Sequence, residues 1–184
     1  MRWTLVAIAV SVFTSGTSLA SNATPPSLPS PWYPIHTGQN KDRLAGDACA
    51  FALAERVVDD QEMARTLAVD ASGKPTVTEI KGDLIMRYTN VDTGKSVVRH
   101  VDGHAFISVH PDESETWVID GPFAGAVSRG SQVTFVPRLG LGSYIWSGVT
   151  VLDVPPYTPP VSKPPTLTWA GPVENLCDTL SDDP

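Results

Sequence analysis

Three histidines and an aspartate lie close together in the middle of the chain, in the segment His100-Val101-Asp102-Gly103-His104 and at His110. Histidine and carboxylate side chains at such short spacing can hold Zn²⁺ or act as an acid–base pair. Asp102-Gly103, between alternating apolar residues, is also a strong signal for a two-residue hairpin turn. The geometry of this predicted hairpin decides whether the imidazoles can meet.

In the predicted register Val101 faces His104, and opposed residues share one face of a sheet. His100 then shares a face with apolar residues that are predicted to face the core, namely Val98, Ala105, Ile107 and Val109. His104 and His110 lie on the other face, about 20 Å apart at about 3.3 Å per residue of extended strand. We therefore expect no metal ion and no cofactor here. Asp102, His104 and His110 stay candidates for contact with a ligand.

Aromatic residues offer a second kind of binding chemistry. Trp117 and Trp146 lie in predicted strands, while Trp32 and Trp169 lie near Pro-rich segments. Exposed rings form platforms for sugars or Pro-rich peptides, and tryptophans around a cavity line apolar ligand sites. Packing in the core is the competing interpretation. Trp117 and Trp146 are therefore candidate ligand contacts.

Compartment is indicated by the first residues. A single Arg2, an apolar run from Leu5 to Phe13 and small residues up to Ala20 are typical of a secretory signal peptide at 1–20. This run is too short to span a bilayer, which takes roughly 20 residues. Export predicts that Cys49 and Cys177 form one disulfide. We expect a secreted, extracellular protein with no membrane span.

Composition and proline content outline the domain. The formal net charge of −7 argues against a nucleic-acid partner. Proline clusters predict a Pro-rich extended leader at 21–44 and a Pro-rich loop at 155–165. The range 45–184 is then one disulfide-closed domain.

Short segments rich in β-branched and aromatic residues predict most of the secondary structure. Between turn signals, they are Leu84–Thr89, Lys95–Val101, His104–His110, Glu115–Asp120, Gln132–Pro137 and Tyr144–Val154. Helix formers dominate Cys49–Ala68, although its apolar residues fit alternation, and a short helix is expected to begin at Pro172. The fold class is therefore all-β, an antiparallel barrel or sandwich of about eight strands with a short C-terminal helix.

A family resemblance adds to this interpretation. The Cys-x-Phe beginning at Cys49, the stretch Thr89-Asn90-Val91-Asp92-Thr93-Gly94-Lys95-Ser96 and the ending Leu176-Cys177-Asp178-Thr179-Leu180 occur in this order. The pattern resembles small exported β-domain proteins of high-GC Gram-positive bacteria, which have no established activity. The resemblance implies that the region after the first Cys is a strand, that the two Cys close the domain, and that no catalytic residues are assigned.

These observations favour a secreted, non-enzymatic protein that binds a surface, a partner such as a cell-surface component, or a small apolar ligand. Neither a phosphate-binding glycine loop nor a nucleophile elbow occurs in the sequence. One alternative is a secreted hydrolase or isomerase with a barrel-mouth site that uses Asp102, His104 or His110. Another is a calycin-like carrier whose cavity contains Trp117 or Trp146.

Overall fold

The structure is a computed structural model that describes residues 27–156 and 163–181. The signal peptide predicted at 1–20 and residues 157–162 of the predicted Pro-rich loop lie outside the described residues. The described part forms fifteen strands and one short helix. In chain order they are β1 (Tyr33–Pro34), β2 (Lys41–Arg43), β3 (Leu53–Asp60), β4 (Met63–Val69), β5 (Pro75–Lys81), β6 (Leu84–Asn90), β7 (Ser96–His100), β8 (His104–Val109), β9 (Glu115–Asp120), β10 (Phe123–Val127), β11 (Thr134–Val136), β12 (Gly142–Trp146), β13 (Val149–Val154), β14 (Thr166–Ala170), β15 (Val173–Asn175) and α1 (Leu176–Leu180).

The strands form three sheets. The large sheet has eight strands in the order β1-β4-β5-β8-β9-β13-β14-β11. A second sheet has the order β2-β3-β6-β7, and a third has the order β10-β12-β15. Neighbouring strands are antiparallel except β11 and β14, which are parallel. Because β1 and β11 end the large sheet without pairing to each other, the sheets are not closed into a barrel.

Strand β12 lies between two hydrophobic cores, and all five of its residues are buried. Ile145 packs in a core with Leu53 and Met86 of the four-stranded sheet and with Leu176 of α1. Tyr144 and Trp146, whose side chains point the other way, pack against residues of the large sheet such as Leu167. Successive side chains of a strand point to opposite faces, so one buried strand can serve both cores.

The predicted disulfide between Cys49 and Cys177 is present, with a Cα–Cα distance of 5.3 Å. It joins the segment before β3 to helix α1 across 128 residues of sequence. Asn175 caps the helix, because its side-chain oxygen accepts a hydrogen bond from the Cys177 amide at 3.1 Å. The last helical residue, Leu180, is fully buried. The disulfide and the buried helix therefore join the two ends of the range 49–177 at the first core.

Asn90 anchors this closure from the side of β6. Its Oδ1 accepts hydrogen bonds from the amides of Asp92 and Thr93, at 3.0 and 3.3 Å, and so shapes the β6–β7 turn. Its Nδ2 donates to the carbonyl oxygen of Leu180 at 3.1 Å. Lys95, which follows the turn, donates to the Ser181 carbonyl at 2.7 Å. The stretch on which the family resemblance mainly rests thus holds the end of helix α1 in place.

The hairpin predicted at Asp102-Gly103 is wrong, because β7 and β8 belong to different sheets. The amide of Gly103 donates to the Pro122 carbonyl at 2.8 Å. A Cβ at residue 103 would lie only 2.7 Å from Cγ2 of Ile119, so glycine permits a close approach to β9. Residues 101–103 therefore carry the chain from the four-stranded sheet to the large sheet.

The predicted core face is also partly wrong. Val98, on edge strand β7, is 45% exposed, whereas its neighbours Val97 and Arg99 are half-buried. On β8 Ala105 is buried and Ile107 and Val109 are half-buried on the same face, but Ser108 between them is half-buried as well. Because β7 does not pair with β8, the two strands do not share the face that the hairpin predicted.

Several boundaries differ from the predictions, and the strand number exceeds eight. The segment Tyr144–Val154 is two strands, separated by a turn at Gly148 with a φ of 97°. The helix expected at Pro172 begins only at Leu176, because residues 173–175 pair with β12. Strands β1 and β2 lie within the range predicted as leader. The region after Cys49 is strand, as the resemblance implied, since β3 pairs along its length with β6.

Candidate functional site

The eight-stranded sheet has two faces of different character. One face, the inner face, carries fully or nearly fully buried side chains, including Ala64, Ala105, Ile119, Thr150 and Leu167. Because side chains alternate along a strand, the residues between them point to the opposite side, which we name the outer face. Many side chains on the outer face are exposed or half-buried.

A row of four apolar side chains and one threonine, which we name the apolar row, crosses five strands of the outer face. Strand register places its members next to one another, in the order Phe106, Val118, Val151, Thr168 and Val136. Val149 lies beside this row on β13. Phe106, Val118, Val149 and Val136 are between 38% and 48% exposed. Contiguous exposed apolar side chains of this kind mark interaction surfaces more often than isolated ones do.

A second row, of four hydroxyl side chains and one aspartate, runs parallel to the apolar row and lies two residues away from it on each strand. In register, its members are Ser108, Thr116, Asp153, Thr166 and Thr134. Aspartate is the only charged member of this row. We name it the hydroxyl row. The outer face thus presents the apolar row and the hydroxyl row side by side. Within each row, successive members lie on neighbouring strands, which are about 4.8 Å apart.

His110 stands at one end of the hydroxyl row, in an open cleft of about 250 Å³ that Lys163 also lines. Its Nε2 lies 3.1 Å from Oγ1 of Thr116, and this hydroxyl donates to Oδ1 of Asp153 at 3.0 Å. In a catalytic triad the histidine lies between the nucleophile and the carboxylate. Here the threonine holds the middle position, so the carboxylate does not orient the imidazole as a base for Thr116.

His104 stands on the outer face in another group, near the opposite end of β8. Its Nε2 lies 2.8 Å from Oε1 of Glu79, and Nε of Arg65 donates to the other oxygen of that carboxylate at 2.6 Å. The rings of His104 and Phe106 are 4.7 Å apart. We name Arg65, Glu79 and His104 the carboxylate-centred triplet, and it adjoins the apolar row at Phe106.

The remaining predicted site residues lie elsewhere. Asp102 is in the connection between two sheets, with its carboxylate 3.2 Å from Nδ1 of His100. Trp117 is half-buried on the inner face, and its indole donates to Glu115 at 2.8 Å. Trp146 is fully buried among the rings of Phe123, Phe135, Tyr144 and Trp169. Asp102, His104 and His110 thus each have a different partner.

Several residues of the outer face were not predicted from the sequence. Arg65 lies in the range Cys49–Ala68, whose helix or strand character was open, and Glu79 lies between this range and the next predicted strand, so their pairing across β4 and β5 depends on register. The β-branched residues around Glu79 in β5, such as Val77, Thr78 and Ile80, are a signal that would have placed it in a strand. No local signal identifies Arg65 as its partner.

No group of three or more His, Cys, Asp or Glu side chains in residues 27–156 and 163–181 is arranged to hold a metal ion. Within the same described ranges, no helix has the length and apolar character needed to cross a membrane. Comparison with known proteins returns no matching family model, no matching curated protein and no matching solved structure.

Proposed function

We propose that this protein is a secreted, non-enzymatic binding protein that holds an extended polysaccharide on the outer face of its large sheet. The observation that carries the proposal is the apolar row, whose side chains lie in register across five strands. The disulfide between Cys49 and Cys177 is compatible with an oxidising extracellular compartment.

The chemistry of the two rows supports a sugar polymer as the occupant. A pyranose ring has apolar C–H faces and a periphery of hydroxyl groups. A chain that lies across the strands would place ring faces against the apolar row and hydroxyl groups against the hydroxyl row. Thr134 and Thr166 each carry a hydroxyl that can donate and accept. The open, flat arrangement suits an extended polymer better than a small enclosed ligand.

The predicted alternatives have less support. A calycin-like carrier requires a cavity, but Trp146 is surrounded by aromatic side chains that fill the interior around it. A hydrolase requires a positioned nucleophile and base. At His110 the hydroxyl of Thr116 is instead engaged by Asp153. The sheet face offers a larger continuous set of exposed groups than either interior or cleft.

Binding is tested by incubating the purified, oxidised protein with insoluble cellulose, chitin and cell-wall peptidoglycan, and by measuring the protein that remains in solution. We expect binding to at least one of these polymers. Val118→Glu and Val136→Glu should each weaken it at least tenfold, because a carboxylate would replace an apolar contact. Val58→Glu is the matched control, since Val58 is also 48% exposed but lies on β3.

Four results would contradict the proposal. One is the absence of binding to every polymer. Another is an equal effect of Val58→Glu and Val118→Glu. The third is a dimer in sedimentation analysis that Val118→Glu dissociates, because the outer face would then be an interface between two copies. Release of soluble sugar that His110→Ala abolishes would favour the hydrolase.

A further inference from the structure

Glu79 is only 6% exposed, although it lies on the outer face of the sheet. A buried carboxylate is costly unless it is paired and hydrogen-bonded. Two side chains meet this need, since Arg65 donates to Oε2 at 2.6 Å and His104 lies 2.8 Å from Oε1. Glu79 is thus covered by the groups that it binds, on a face that otherwise contacts solvent.

The charge of Glu79 is fixed by these partners. Burial by itself would raise the pKa of Glu79, but the hydrogen bonds from Arg65 and His104, with their charges, lower it overall. The carboxylate is therefore ionised at neutral pH. It binds Nε of Arg65, and the terminal nitrogens of that guanidinium have no hydrogen-bond partner within the described ranges. Those nitrogens are donors in a fixed planar fork.

Trp32 brings a second cation to the same place. The Cζ atom of Arg65 lies 4.5 Å from the centre of the Trp32 ring, and Nζ of Lys81 lies 4.4 Å from it. Cations within about 6 Å of an indole ring are attracted by its π electrons. Glu79 pairs with Arg65, and Lys81 makes no ion pair within the described ranges, so the charge of Lys81 is not neutralised by Glu79.

We infer that Arg65 and Lys81, placed over Trp32, bind an anionic oxygen group, either a carboxylate or a phosphate diester, carried by the polysaccharide of the proposed function. The planar fork of Arg65 suits two oxygens of such a group, while Lys81 acts as a point charge. Glu79 is the positioning residue that fixes Arg65. The site adjoins the apolar row through Phe106, whose ring is tilted against that of His104 with the ring centres 4.7 Å apart. The inference rests on the proposed function for the identity of the polymer.

The decisive variants leave Glu79 paired. Lys81→Met keeps an apolar stem beside Trp32 and removes one charge. Arg65→Lys keeps a cation for Glu79 but removes the planar fork. Lys41→Met is the matched control, because Lys41 is exposed on β2 and the change in net charge is the same. Unfolding curves establish that all three variants fold.

Affinities are measured for polygalacturonate, poly(glycerol phosphate) and a soluble neutral glucan. We expect the wild-type protein to bind one acidic polymer, which identifies carboxylate or phosphate as the group. Lys81→Met and Arg65→Lys should each weaken this binding at least fivefold and leave binding of the neutral glucan unchanged. Lys41→Met should change neither affinity.

Equal effects of Lys81→Met and Lys41→Met, or no binding of either acidic polymer, would overturn the inference. Trp32 and its cations would then serve only to hold the N-terminal segment on the sheet.

The two proposals fail separately. If Val118→Glu abolishes binding of the neutral glucan while Lys81→Met leaves the affinity for the acidic polymers unchanged, the proposed function is supported and the anion site is refuted. If Lys81→Met weakens binding of an acidic polymer while Val118→Glu changes no affinity, the anion site is supported and the role of the apolar row is refuted.

Discussion

Replacing Asn90 by alanine should destabilise the protein strongly, because this one side chain connects a turn to the C-terminal helix. Asn90 is 2% exposed, and its side chain takes part in three hydrogen bonds. A hydrogen bond contributes roughly 0.5–1.5 kcal/mol, and a buried group left without its partner costs roughly 1–3 kcal/mol. The carbonyl of Leu180 would become such a group. We therefore expect Asn90→Ala to lower the free energy of unfolding by about 3 kcal/mol.

A second variant separates the two tasks of Asn90. Asn90→Asp keeps a side-chain oxygen that can accept from the amides of Asp92 and Thr93. It loses the donor to Leu180 and places a carboxylate near a carbonyl oxygen, which is unfavourable in a buried position. At neutral pH we expect Asn90→Asp to destabilise the protein about as much as Asn90→Ala does.

Urea unfolding of the oxidised proteins, followed by tryptophan fluorescence, provides the measurement. Thr89→Ala is the control, because within the described residues the only hydrogen bond of the Thr89 hydroxyl is to an exposed serine hydroxyl at 2.8 Å. We expect this control to cost less than about 1 kcal/mol. The reasoning fails if Asn90→Ala costs no more than the control. It also fails if Asn90→Asp is as stable as wild type, since the bond to Leu180 would then contribute nothing.

Three further predictions concern stability. Reduction of the disulfide should lower the free energy of unfolding by at most about 5 kcal/mol, because the bond closes a loop across 128 residues. An unchanged urea midpoint after reduction would contradict this prediction. Glu174 has a lowered pKa, chiefly through its hydrogen bonds from Arg99, so Glu174→Gln should cost roughly 1 kcal/mol or less at neutral pH. That cost should disappear as the pH falls well below 4.5, and a cost independent of pH would exclude the ion pair as its cause. Burial raises the pKa of Glu62 despite hydrogen bonds from Thr37, so this group should add stability as the pH falls toward 4.5. Glu62→Gln should remove that increase in urea titrations, and an unaltered pH profile would refute the assignment.

Most of the secondary-structure elements could be predicted from local sequence patterns. Alternation and turn residues located most strands between residues 84 and 154, and Glu115–Asp120 has the predicted bounds. Local propensity was misleading after Cys49, where helix formers lie in strand β3. There, burial of Leu53 and Glu55 and pairing with β6 outweigh intrinsic preference.

The candidate site could be predicted from the sequence only in part. His104 and His110 were identified as candidates on one face of β8, and the structure places both on the outer face. Their partners Glu79 and Thr116 were not identified, because each lies on a neighbouring strand whose register is set by distant packing. The turn signal at Asp102-Gly103 was misleading for the same reason. A local pattern cannot reveal that β7 and β8 pair with other strands.

The amino-acid sequence by itself determined that the chain is rich in β-strands, that Cys49 and Cys177 join, and that a short helix lies near the C-terminus. Each of these depends on composition, periodicity or a single available partner. Only the tertiary structure decided which strands are neighbours, and therefore which side chains form the apolar row, the hydroxyl row and the carboxylate-centred triplet. Register is chosen by the burial of one face against distant segments, and this choice determines what the opposite face presents to solvent.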